Sequence, residues 1–127
     1  HANSPRDALA RLETMVLMSG LDLPSRAIRE QVVSALQLIV HVRRFDDGVR
    51  RVESIAEITG MEGNTPQLQE LFAFRITGRQ PRRIIGEYVA TGIVPRVAEV
   101  LRGRGFDLPM ELFQPPASVA QTAERER

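Results

Sequence analysis

The chain contains no lysine, no cysteine and no tryptophan, and it has a single tyrosine. Each absence closes a class of chemistry. Without Cys there is no disulfide scaffold, no thiolate nucleophile and no Cys-based zinc site. Without Lys there is no complete phosphate-binding P-loop and no Schiff base. The scarcity of aromatics removes the stacking platforms on which single-stranded nucleic acid is held. No apolar run approaches the roughly 18 residues that would span a bilayer. Charge of one sign is also missing. The 17 basic residues, all Arg, face 16 acids, for a formal net charge of +1 over 127 residues. That balance argues against an electrostatically driven nucleic-acid or membrane binder. The length fits one compact domain.

Helical patterning opens the chain. Ser4-Pro5-Arg6-Asp7 offers an N-cap Ser, a Pro at the first helical position and an acid three residues after the cap. Leu9, Leu12 and Val16 then follow helical spacing, and Gly20 is a stop signal. A second helix begins at Ser25, with Ile28, Val32, Ala35 and Leu36 on one face. Leu38 to Val42 is nearly continuous and β-branched, the pattern of a strand covered on both faces. Asp46-Asp47-Gly48 signals a hairpin. Its return strand places Val52, Ser54, Ala56 and Ile58 on one side, with Arg51, Glu53 and Glu57 on the other. Gly60 to Pro66 reads as a turn, Gln67 to Arg75 as a further strand, and 76–83 as a polar loop. Ile84 to Ala90 reads as a short extended segment, and Pro95 opens a third helix that ends at Gly103 or Gly105. From Gln114 the composition is that of a disordered tail.

The chemical inventory is thin. His41 sits in the apolar strand run and reads as structural. No His pair has metal-ligand spacing, and no nucleophile elbow is present. Asp46-Asp47 reads as turn chemistry rather than a catalytic carboxylate pair. The Arg set is open to two readings. One is compositional usage in place of Lys. The other is donation to phosphate, for which the planar guanidinium fork is suited and for which Arg6, Arg11, Arg26 and Arg29 are candidates.

The block His1-Ala2-Asn3-Ser4-Pro5-Arg6-Asp7-Ala8-Leu9-Ala10-Arg11-Leu12-Glu13-Thr14-Met15-Val16-Leu17-Met18 is more specific than any of these patterns. It resembles the stretch beginning at the His box of CpaF-type ATPases, in the type II/IV secretion and Tad pilus assembly superfamily. The likeness continues through Gly20 to Pro24, Arg26 to Gln31 and Leu38 to His41, and returns at Ile58 to Gly63, Leu68 to Phe72 and Ala90 to Pro95.

The resemblance implies an α/β fold: the C-terminal part of a RecA-like P-loop ATPase core in residues 1–75, with two helices, a buried strand, a β-hairpin and a further strand. A C-terminal extension with a short helix would occupy 76–113, and a disordered tail 114–127. It implies a parent that hydrolyses ATP with Mg²⁺ in a cytoplasmic homohexameric ring, docked on inner-membrane platform proteins, with no nucleic-acid partner. The P-loop and the Mg²⁺-binding acidic motifs precede the His box, so a chain starting at His1 is expected to be an inactive C-terminal fragment. By the resemblance His1 is the catalytic His-box residue, sensing the γ-phosphate, and Asn3 helps fix its loop. Arg11 and Arg29 are candidates for the nucleotide or the ring boundary. A stand-alone, non-catalytic module that docks to secretion components is the alternative.

Overall fold

A computed structural model describes residues 1–116. The expectation of a disordered tail falls, from residue 117 onward, outside the described residues. Two helices come first, α1 (Pro5–Met18) and α2 (Ser25–Ala35). Four strands follow: β1 (Leu38–Arg44), β2 (Arg50–Glu62), β3 (Thr65–Gln80) and β4 (Arg83–Ala90). The helix α3 (Arg96–Gly103) and a 3₁₀ turn over Met110–Phe113 close the described chain.

The start of α1 forms as its sequence dictates. The Ser4 hydroxyl accepts from the Asp7 amide at 3.1 Å, and Asp7 Oδ2 accepts from the Asn3 amide at 2.8 Å. Two donors that the first turn would leave unpaired are thereby satisfied. After Ser19 the chain reverses at Gly20, whose φ of +79° suits a residue without a Cβ.

The sheet is an antiparallel meander in the order β1-β2-β3-β4. Successive strand residues face opposite ways. Ser54 and Ala56 border Ser4, Pro5 and Arg6 at the start of α1. Glu57 points to the other face, where its carboxylate accepts from the Arg96 amide at the start of α3, at 2.8 Å. One face is therefore packed by α1 and α2, and α3 begins against the other at Glu57. A carboxylate at a helix N-terminus is favourably placed against the unpaired amides and the helix dipole.

Four expectations are corrected. Residues 76–83 are not a loop: β3 runs on to Gln80 and pairs with β4 through a two-residue turn at Pro81-Arg82. The ladder satisfies the backbone, so polar side chains are tolerated there. The sheet consequently continues past residue 75. Gly60 to Pro66 is not all turn either, because only Gly63 and Asn64 lie between β2 and β3. β1 is the edge strand of the sheet, and the face that carries Val40 and Val42 is open there, leaving both more than half exposed instead of covered. The side of β2 that carries Arg51, Glu53 and Glu57 is not simply a charged face, because Glu57 is buried where α3 begins.

At the end of the sheet that carries both the 45–49 and 81–82 turns, Phe45, Phe74 and Ile84 form a buried cluster. Phe45 and Phe74 meet edge to face at 5.4 Å between centroids. The Arg51 guanidinium lies 5.3 Å from the Phe45 ring centre and 5.4 Å from that of Phe74. Asp47 holds it by two hydrogen bonds, of 3.0 and 2.8 Å. The same carboxylate accepts from the amides of Val49 and Ile84 at 3.1 and 2.9 Å. Asp47 thus ties its own turn to the first residues of β4.

Candidate functional site

Residues 1–4 reach the site through His41. Its Nε2 lies 3.2 Å from the Ala2 carbonyl and its Nδ1 3.1 Å from Glu53. Glu53 is held in turn by Arg43 at 2.8 Å. An acceptor thus lies on each side of the imidazole ring. The structural reading of His41 holds: it is buried and fastens the N-terminal segment to β1.

This placement brings His1 and Arg11 together. Both line an open, largely apolar cleft of about 510 Å³, with Ala2, Leu12 and Met15. Asp7 organises its edge. Besides the Asn3 amide it accepts from Arg11 Nε at 3.1 Å. The Asn3 amide chiefly, and then Arg11, hold the Asp7 carboxyl below its ordinary range. Only Nε of Arg11 is engaged among the described residues, so the two terminal nitrogens remain available to an anion. Asn3 engages Asp7 through its backbone amide. Its side chain borders a separate, polar hollow with His41, Arg43 and Arg44.

Arg29 does not join them. It lies in a second cleft of about 400 Å³ between α1, α2 and the 63–64 turn. Its Nε and Nη2 form a fork on Glu13 at 2.7 and 3.0 Å, and its Nη1 donates to the Asn64 carbonyl at 3.0 Å. The guanidinium pulls the Glu13 carboxyl below its usual range, and the carboxylate raises Arg29 in return. Arg6 donates to the Pro66 carbonyl at 3.2 Å, and Arg26 pairs with Glu30 on the exposed side of α2. Arg6 and Arg29 thus tie the helices to each other and to the β2–β3 region, while Arg26 stays within its own helix. Sequence reasoning missed Asp7 as an organiser beyond its cap, although the Ser4-x-x-Asp7 spacing was its signal.

An imidazole and a guanidinium facing one cleft can bind and sense an anion. Among the described residues no cluster of three metal-ligating side chains occurs.

No family model matches the chain. It is similar to two proteins of Mycobacterium tuberculosis, from strains CDC 1551 and H37Rv, each named "Putative conjugal transfer protein". Identity to each is 38% over 63 residues, which is 50% of this chain and 17% of the relative. The chain therefore matches a small part of much longer proteins.

Proposed function

We propose that the chain serves as the C-terminal part of an ATP-hydrolysing subunit that powers a secretion, conjugation or pilus-assembly machine. The observation that carries this reading is the 38% match to proteins named for conjugal transfer. The shared cleft of His1 and Arg11 supports it. In the ring, this pair faces the γ-phosphate end of ATP bound largely by preceding sequence, which supplies the P-loop Lys and the acids that hold Mg²⁺. His1 and the free edge of Arg11 then read whether the terminal phosphate is present. Arg29 acts indirectly, by holding α2 to α1 and to the β2–β3 turn. The ring is homohexameric, cytoplasmic and docked on inner-membrane platform proteins.

The reading frame upstream of His1 provides the first test. It is expected to encode G-x-x-x-x-G-K-[ST] ahead of the His box. A stop codon with a start close to His1 contradicts the ATPase and favours a stand-alone docking module. In the intact product, neutralising Arg11 lowers ATP turnover, whereas neutralising Arg29 lowers the melting temperature. Unchanged turnover and ring assembly in both variants contradict the assigned roles.

A further inference from the structure

The charge of the chain is balanced overall but not locally. Arg43, Arg44, Arg50, Arg51, Arg79, Arg82 and Arg83 gather at the end of the sheet that carries the 45–49 and 81–82 turns. Three of them are neutralised in place: Arg43 by Glu53, Arg51 by Asp47 and Arg79 by Asp46. Arg44, Arg50, Arg82 and Arg83 are exposed and have no carboxylate partner among the described residues. Arg44 and Arg50 are moreover directly opposed across the β1–β2 ladder, an arrangement that like charges disfavour. Arg82 holds a φ of +62°, where Gly or Asn is the usual occupant. Arg44 donates from Nε to the Gly48 carbonyl of its own turn at 3.2 Å, which leaves its terminal nitrogens outward, and for Arg at 82 local folding supplies no reason.

The two turns are locked side by side. Asp46 receives Arg79 across them at 3.0 Å, and Asp47 receives the Ile84 amide at 2.9 Å. The four cations are therefore carried at one end of the sheet by two turns held together. Aliphatic side chains are interleaved with them: Val49 is 48% exposed beside Arg50, and Ile85 is 38% exposed two residues beyond Arg83. Tyr88 is the one strongly exposed ring of β4, too few for base stacking. Flanking cations with small apolar tips suit the headgroup layer of an anionic bilayer, where the guanidinium groups meet phosphates and the tips reach the acyl boundary. No described helix is long and apolar enough to cross a membrane, so such contact is peripheral.

From this we infer that the paired hairpin end is a docking face for an anionic phospholipid surface. The inference stands apart from the ATPase reading and does not need it.

Flotation of the 127-residue chain with phosphatidylglycerol–phosphatidylcholine vesicles tests it, with pure phosphatidylcholine vesicles alongside. Binding to the anionic vesicles at low salt, and its loss at high salt or on neutral vesicles, is expected. The combined variant Arg44→Gln, Arg50→Gln, Arg82→Gly, Arg83→Gln binds at least about 50-fold more weakly, given the attraction each such charge contributes. The matched Lys variant at positions 44, 50 and 83 keeps its binding, because a bilayer reads charge rather than a fork. A control that neutralises Arg102 and Arg104 binds like the parent, and far-ultraviolet circular dichroism confirms the fold of each variant. Absent binding, equal binding to neutral vesicles, an unaffected Gln variant, or tighter binding to single-stranded DNA than to vesicles each overturns the inference.

Discussion

Asp47 is the residue on which the far end of the sheet depends. Its turn role was legible, because Asp46-Asp47-Gly48 is a hairpin signature and the hairpin forms there. Its second role was not legible, because the Arg51 guanidinium and the Ile84 amide arrive from other strands. These partners, Arg51 first and the Ile84 amide next, hold the Asp47 carboxyl far below the ordinary carboxylate range. The sign of the pH effect follows. A carboxyl depressed in the fold stabilises it above the unfolded value, near 3.8, and that stability is lost as pH falls below it. Asp47→Asn is therefore expected to lower the melting temperature at neutral pH and to flatten the loss of stability below about pH 4. Thermal melts of both proteins from pH 7 to pH 2 check this, and parallel acid limbs would contradict it. Gly86 offers a steric counterpart. A Cβ there would lie 2.5 Å from Phe74 Cζ and 2.6 Å from the Arg75 carbonyl oxygen. Gly86→Ala is expected to cost about 1–3 kcal/mol in urea unfolding, the usual cost of overpacking. A change under half a kcal/mol would mean that the Phe74 ring and the Arg75 backbone both move aside freely.

Among the elements, helices were more legible than strand ends. The cap and Pro of α1 and the Pro before α3 are local signals, and both helices begin where those signals stand. Removing the local signal should have a local cost: Ser4→Ala is expected to lose about 1 kcal/mol, the worth of an N-cap, read as a melting temperature lower by about 4 °C. No measurable shift would show that the Asp7–Asn3 bond alone secures the turn. Strand lengths were not legible beyond Arg75, because residues 76–80 owe their conformation to cross-strand pairing with β4 rather than to their own apolar pattern. The 81–82 turn was hidden for a related reason: Arg82, not Gly or Asn, holds its positive φ. β1 shows the converse error. Its β-branched run marks a strand correctly, but a run of that kind cannot say how many neighbours the strand has.

At the scale of the molecule, the candidate site was partly legible. His1 and Arg11 of the N-terminal block line one cleft, whereas Arg29 lies in another, held by Glu13 and Asn64. Nothing in the spacing of residues 13 and 29 or of 29 and 64 shows that Arg29 is consumed by Glu13 and Asn64, since those contacts exist only once α2 folds back on α1. The isolated chain, with an uncovered edge at β1, is expected to melt without a sharp cooperative transition above about 65 °C, the upper end of the common range. A sharper and hotter melt would indicate a module complete in itself. The chain alone is also expected neither to bind ATP tightly nor to hydrolyse it. The most direct measurement of the central claim is ATP hydrolysis by the intact protein compared with its His1→Ala variant. The account predicts turnover in the parent and a loss on the order of 10²-fold in the variant, the scale on which removing one charge-stabilising donor is felt. Equal turnover in the two proteins, or none in the intact parent, would contradict it.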